Sequence, residues 1–110
     1  MGRIKGRNPS LDVYQAIADP NRRRILELLA RKEYSVQELA PHFGVTLGAI
    51  SQHLKVLLDS QLVVRRKEGR YRFYRVRPKR LKEVHDWTQQ YERFWKSRLD
   101  RLGHYLEGQE

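Results

Sequence analysis

The chain has 110 residues, enough for one modest core and too few for two. Lys and Arg number 23 against 13 Asp and Glu, a formal net charge of +10, and such an excess favours a polyanionic partner, nucleic acid before a membrane surface. Cysteine is absent, which excludes disulfides, thiolate metal sites and cysteine nucleophiles, and no run of about 18 apolar residues exists to span a bilayer.

Residues 1–9 form a basic tail. No apolar stretch follows Met1 to Arg7, so no secretory signal is expected, and Gly6 stands where N-myristoylation wants Ser or Thr. A cytoplasmic location is the expectation. Ser10 is read as the cap of a short helix over about Leu11 to Ala18, with Val13, Ala16 and Ile17 apolar. Asp19-Pro20 is an N-cap followed by proline at the first helical position. The second helix runs to about Arg31 on a stripe of Ile25, Leu26, Leu28 and Leu29. Arg22, Arg23 and Arg24 in its first turn oppose the helix dipole. They either pair with acids such as Glu27 or Asp19 or lie near a polyanion, with structural pairing favoured for at least one.

Ser35-Val-Gln-Glu38 has the spacing of a capping box. The helix it opens turns Val36, Leu39, Ala40 and Phe43 inward, and Gly44 suits its end. After a turn of about three residues Thr46 caps a fourth helix, over about Leu47 to Ser60. Two short helices joined by a glycine-containing turn make a helix-turn-helix. At roughly 100° per residue Leu47, Ile50, Leu54, Leu57 and Leu58 share one arc of the fourth helix. Gly48, Ser51, Gln52 and Lys55 fall on the opposite side. That face is small, neutral or basic, suited to an anionic groove and to hydrogen bonds with base edges.

Leu62 to Lys67 and Arg70 to Val76 are β-rich runs about a Glu68-Gly69 turn, which reads as a hairpin. From Arg65 to Lys82 there are ten cations (Arg65, Arg66, Lys67, Arg70, Arg72, Arg75, Arg77, Lys79, Arg80, Lys82) against one acid, Glu68. Cations also guard an exposed edge strand against pairing, but ten exceed what a guard requires, and phosphate oxygens would neutralise them. Beyond Pro78 one long helix is expected over about Leu81 to Glu107, roughly 40 Å at 1.5 Å per residue. Val84, Trp87, Thr88, Tyr91, Phe94, Trp95, Leu99, Leu102, Tyr105 and Leu106 share a broad arc. A helix that overhangs so small a domain directs its aromatic face to a partner chain as well as its own core. A ligand pocket lined by the same aromatics is the alternative.

The order helix, helix, helix-turn-helix, basic hairpin, long helix resembles the ArsR-type family of bacterial repressors. The segments that carry the likeness are Ala18-Asp-Pro-Asn-Arg-Arg-Arg-Ile-Leu26, Val36-Gln-Glu-Leu-Ala40, Val45 through Leu62 with Ser51-Gln-His-Leu-Lys-Val-Leu57, and Gly69-Arg-Tyr-Arg-Phe-Tyr74. The fold class expected is mainly α with a β-hairpin wing: residues 10–80 a winged helix-turn-helix domain, residues 81–110 a dimerisation helix, all one structural domain. The resemblance implies a homodimer through the first and last helices that binds an inverted repeat in double-stranded DNA near a promoter. The DNA-facing set is then Thr46, Leu47, Gly48, Ser51, Gln52, His53 and Lys55, with Arg66, Lys67 and Arg70 of the hairpin reaching a minor groove or its phosphates. Gln52 is the best suited to read a base, since its amide pairs bidentately with adenine. Ser51 serves base or phosphate, and His53 and Lys55 are phosphate anchors. The dimer set is Val13, Trp87, Tyr91, Phe94, Trp95, Leu102 and Leu106.

Many members of the family sense metals, and the residues here depart from those sites. Tyr34-Ser35-Val36 stands where a thiolate site needs cysteine. On the long helix His85 and Asp86 are adjacent rather than two apart, and His104 with Glu107 makes half a site. No metal and no cofactor are expected, and the inducer is unknown. No phosphate-binding glycine loop, nucleophile-base pair or acidic metal pair points to an enzyme. Two other functions compete with a sequence-specific regulator: an interaction module that uses the aromatic helix, and a nonspecific architectural DNA binder. The uncharged face of Gly48, Ser51 and Gln52 argues against the second.

Overall fold

The computed structural model describes residues 12–108, apart from the side chains at 104, 105, 107 and 108. The basic tail and the expected Ser10 cap fall outside that range. Helix α1 is Val13–Ala16, and Asp12 supplies the cap, its side chain accepting from the Tyr14 N–H at 2.9 Å. Helix α2, Pro20–Leu29, starts as read: Asp19 accepts from the N–H groups of Asn21 and Arg22 at 2.7 and 3.2 Å, with Pro20 behind it. Ile25, Leu26, Leu28 and Leu29 are buried.

The three arginines of α2 divide their work. The Arg22 guanidinium reaches back to the carbonyls of Ala16 and Gln15 at 2.6 and 3.2 Å. Arg23 does the same for Ile17 and Ala18 at 2.8 and 3.2 Å. Cations thus meet the carbonyls at and just beyond the end of α1, where the local dipole favours them. Arg24 pairs with Glu27 at 3.4 Å on the surface.

A two-residue strand, β1 (Tyr34–Ser35), leads into α3, Val36–Leu39. The capping box is complete: the Glu38 N–H donates to Ser35 Oγ at 3.1 Å, and the Ser35 N–H donates to Glu38 Oε1 at 2.9 Å. Pro41 cannot donate a backbone bond, so α3 tightens after one turn into a 3-10 segment, Ala40–His42. Thr46 then caps α4, Leu47–Asp59, by accepting from the Ala49 N–H at 3.1 Å. Ile50, Leu54 and Leu57 of α4 are buried. Leu47 departs from the expected arc: at the first position of α4 it is 49% exposed.

Strands β2 (Val63–Glu68) and β3 (Tyr71–Val76) form the hairpin, and β1 joins it to give an antiparallel sheet in the order β1-β3-β2. The turn lies one residue later than the sequence suggested. Glu68 pairs with Tyr71, leaving Gly69-Arg70 as the loop, and Gly69 carries φ +62°. Positive φ at the first loop position alone is the pattern of a type II′ hairpin turn, whose twist matches the strands.

The long C-terminal helix is two helices, α5 (Leu81–Gln89) and α6 (Glu92–Gly108). At the junction side chains compete for main-chain carbonyls: Thr88 Oγ1 donates to the His85 carbonyl at 3.0 Å and Gln90 Nε2 to that of Trp87 at 2.9 Å. The backbone tightens in response, with Tyr91 N–H on the Thr88 carbonyl and Phe94 N–H on that of Tyr91. The core gathers α1, α2, α3, α4 and the sheet around Ile25, Leu39, Ile50, Leu57 and Leu62, and Leu81 and Val84 lay α5 against it. Among the described residues no helix is long and apolar enough to cross a membrane.

Candidate nucleic-acid interface

Helix α4 buries one side and leaves Gly48, Ser51, Gln52 and Lys55 exposed on the other. The face is built as the periodicity predicts. Thr46 is also exposed, though its hydroxyl is engaged in capping, and exposed Leu47 adds an apolar edge to the same end of the helix. His53 is placed differently from an outward phosphate anchor. It is half-buried, with Nδ1 3.3 Å from an Arg22 guanidinium nitrogen. The same corner contains Asp19. Burial alone would raise its carboxyl, but the N–H groups of Arg22 and Asn21, with His53 and Arg22 nearby, hold it below its ordinary value of 3.8.

The hairpin rises beside α4, and its pleat sorts the cations into two environments. Arg65 pairs with Tyr74 and Lys67 with Arg72, so these four share a face with buried Val63. Arg66, Glu68, Tyr71, Phe73 and Arg75 share the other. Arg66 is held there by acids. Its Nε lies 3.0 Å from both Glu33 carboxylate oxygens, and its other nitrogens meet Glu33 at 2.8 Å and Glu68 at 2.7 Å. Its guanidinium also lies over the Phe73 ring, 4.8 Å from the centroid. The Arg66 hydrogen bond holds the Glu33 carboxyl below its usual range, aided by the charges of Arg66 and Arg75, and Glu33 and Glu68 raise Arg66 further above its own. Arg66 is therefore a strap between the wing and the β1 entrance. Lys67 and Arg70 are exposed.

An open cleft of about 420 Å³ separates α4 from the wing, lined by Val36, Ser51, Lys55, Leu58, Asp59, Arg65, Arg72 and Tyr74. Lys55 pairs with Asp59 across one helical turn at 3.1 Å. Arg65 and Arg72 were counted among the basic residues of the hairpin but stood outside the expected DNA-facing set, although alternation along the strand already separates Arg65 and Lys67 from Arg66.

The dimer set also divides. Val13 is 1% exposed and belongs to its own chain's core, because α1 turns that side toward the domain. Tyr14 faces outward instead, edge-on to Trp87 with ring centroids 5.8 Å apart, its hydroxyl donating to the Glu83 carbonyl at 3.2 Å. Trp87, Tyr91, Phe94, Trp95, Leu102 and Leu106 are between 44% and 59% exposed, with Leu99 among them. Among the described residues no three His, Asp or Glu side chains gather as metal ligands. His85 lies 3.3 Å from Asp86. The Lys82 hydrogen bond, then that of His85, holds Asp86 below its ordinary value. The His104 and Glu107 side chains lie outside the described residues.

A helix-turn-helix with an exposed, mostly neutral face on its second helix, flanked by a two-stranded basic wing, defines a winged helix-turn-helix DNA-binding protein. The family model for bacterial regulatory proteins of the arsR family matches residues 19–64. The transcriptional repressor SdpR of Bacillus subtilis is 30% identical over 76 residues, spanning 69% of this chain and 84% of that protein. An HTH-type transcriptional regulator of Mycobacterium tuberculosis is 36% identical over 96 residues, 87% of each chain. Among solved structures, an ArsR-like regulator from Rhodococcus superposes with a TM-score of 0.67 at 31% identity, covering 89% of this chain and 90% of that one. A homodimeric winged helix-turn-helix DNA-binding domain from Mycobacterium bovis, a possible ArsR-family regulator, gives 0.59 at 30% identity, covering 73% of this chain and 72% of that one. The chain belongs to the arsR family of bacterial regulatory proteins, transcriptional regulators rather than enzymes.

Proposed function

We propose that the chain is a homodimeric, cytoplasmic repressor that binds an inverted-repeat operator in double-stranded DNA, the operator lying upstream of its own coding sequence. The observation that carries this reading is the exposed face of α4. Gly48, Ser51 and Gln52 offer close approach and neutral hydrogen-bonding groups, and Lys55 adds the only charge among the four. In the major groove Gln52 reads adenine, Ser51 a base or a phosphate, and Thr46, Leu47 and Gly48 set the depth of entry. Lys67 and Arg70 at the tip of the hairpin reach the adjacent minor groove or its phosphates. The exposed aromatics of α5 and α6 pair two copies, a reading supported by the homodimeric relative from Mycobacterium bovis. Cysteine is absent, so release from DNA answers to something other than a thiolate-bound metal.

Gel shift and footprinting on the chain's own upstream DNA test the proposal. A protected palindrome is expected, with half-sites about one helical turn, roughly 34–36 Å, apart. Equal affinity for scrambled DNA overturns sequence-specific repression. Sedimentation of the pure protein as a monomer transfers support to the interaction-module reading.

A further inference from the structure

We propose that Arg65 and Arg72, facing Lys55 across the cleft between α4 and the wing, seat the DNA backbone strand that borders the reading face, while Arg66 positions the wing and touches no phosphate. The inference rests on the DNA-binding reading above and goes beyond it in naming which cations carry the strand. Both arginines project from the recognition-helix side of the hairpin and line one cleft with Ser51, Lys55 and Tyr74. Among the described residues no carboxylate pairs with Arg65 or Arg72. Asp59, the one acid in the lining, is ion-paired to Lys55 at 3.1 Å. The wall formed by the two guanidiniums therefore carries positive charge that the protein itself leaves uncompensated. Guanidinium forks match phosphodiester oxygens bidentately, with the Ser51 hydroxyl as a further donor on the opposite wall. The opposite face of the same hairpin has the reverse character, since its Arg66 is held by Glu33 and Glu68.

A phosphodiester strand is favoured over a free anion because the cleft is open and continuous with Ser51 of the reading face. A polymer can extend past both arginines there, where a lone phosphate contacts one end. Contacts of this kind are sequence-independent and appear in the salt dependence of binding, each phosphate neutralised contributing close to one unit of the log–log slope.

The experiment measures affinity against salt concentration for wild type, Arg65→Gln, Arg72→Gln, Arg72→Lys and Arg66→Gln, on a duplex carrying the footprinted site and on a scrambled duplex. Arg65→Gln and Arg72→Gln are expected to weaken binding to both duplexes by roughly tenfold and to reduce the slope by about one each. Arg72→Lys keeps the slope. Arg66→Gln leaves the slope at the wild-type value and speeds amide exchange in β3, the signature of a loosened strap. Unchanged slopes for both Arg65→Gln and Arg72→Gln, with unfolding curves matching wild type, overturn the proposal, as does a slope reduced by Arg66→Gln. Inorganic phosphate is titrated in parallel. Competition beyond that of chloride at equal ionic strength, abolished by Arg72→Gln, identifies a small-anion site and overturns the DNA-strand assignment. A wild-type protein with no salt-sensitive DNA affinity defeats the function proposed above, which separates the two failures.

Discussion

Gln61 carries a φ of +63°, in the left-handed region that costs most L-residues about 1–2 kcal/mol. The geometry is demanded by the exit of α4. The Gln61 N–H donates to the Leu58 carbonyl and the Leu62 N–H to that of Leu57, both at 2.9 Å. This pair of bonds is a Schellman motif, and it carries Leu62 into the core. Glycine adopts that φ without a Cβ penalty but gives up more freedom on folding. Gln61→Gly is therefore expected to stabilise the domain by about 0.5–1 kcal/mol net, raising Tm by a few degrees in a thermal melt. A lowered Tm would contradict the strain argument. Asp19 ties the stability of α2 to pH. Its carboxylate caps α2 and is held below its ordinary value of 3.8. The unfolded chain therefore binds that proton at higher pH than the folded one. The Asp19 contribution to stability is complete above the ordinary value and fades as pH falls through it toward the depressed folded value. Asn caps a helix about as well as Asp, so Asp19→Asn should keep most of the neutral-pH stability and flatten the acid limb. Denaturant titrations across that range compare the two proteins.

In the hairpin, the turn decides which cations face α4. Gly69 sits at φ +62° with nothing within 4 Å of where a Cβ would be built, so backbone strain is the only cost of substitution. Gly69→Val should cost about 1–2 kcal/mol, and Gly69→Asn less, because Asn enters the left-handed region more readily. Equal melting temperatures for the two variants would place the cost elsewhere. The elements legible from sequence are those set by neighbours in the chain: the Asp19-Pro20 start, the Ser35–Glu38 capping box, the Thr46 cap and the apolar stripe of α2. Strand β1 was not legible, because two residues acquire strand character only through pairing with Tyr74 and Phe73 of β3. The break between α5 and α6 was hidden by an apolar arc that runs through it, while the cause lies in the hydroxyl of Thr88 and the amide of Gln90. The face of α4 could be read from helical periodicity alone. The strapping of Arg66 could not, since Glu33 is far away in sequence and only the fold brings the two together.

At the scale of the whole molecule, α5 and α6 present a row of half-exposed aromatic and aliphatic side chains that the core of one chain does not cover. A monomer rarely leaves such a face in water, and an isologous pairing hides it on two copies at once. In the proposed dimer the same pairing would set two α4 helices at a fixed separation, as two half-sites require. Dimerisation and operator affinity would then be coupled, because the second half-site is bound at a high effective concentration only while the subunits stay together. Phe94→Asp tests the coupling without attacking the fold. Phe94 is 59% exposed and lies in the first turn of α6, after Glu92. A carboxylate there suits the helix dipole, so the far-ultraviolet circular dichroism should match wild type. Its charge would have to be buried in the dimer interface, where an unpaired carboxylate is costly. Sedimentation should show a monomer, and Tm should lose its dependence on protein concentration. Affinity for the two-half-site operator should fall by about 10²-fold or more, while affinity for an isolated half-site should stay near the wild-type value. A dimer that survives Phe94→Asp would move the subunit contact off this face.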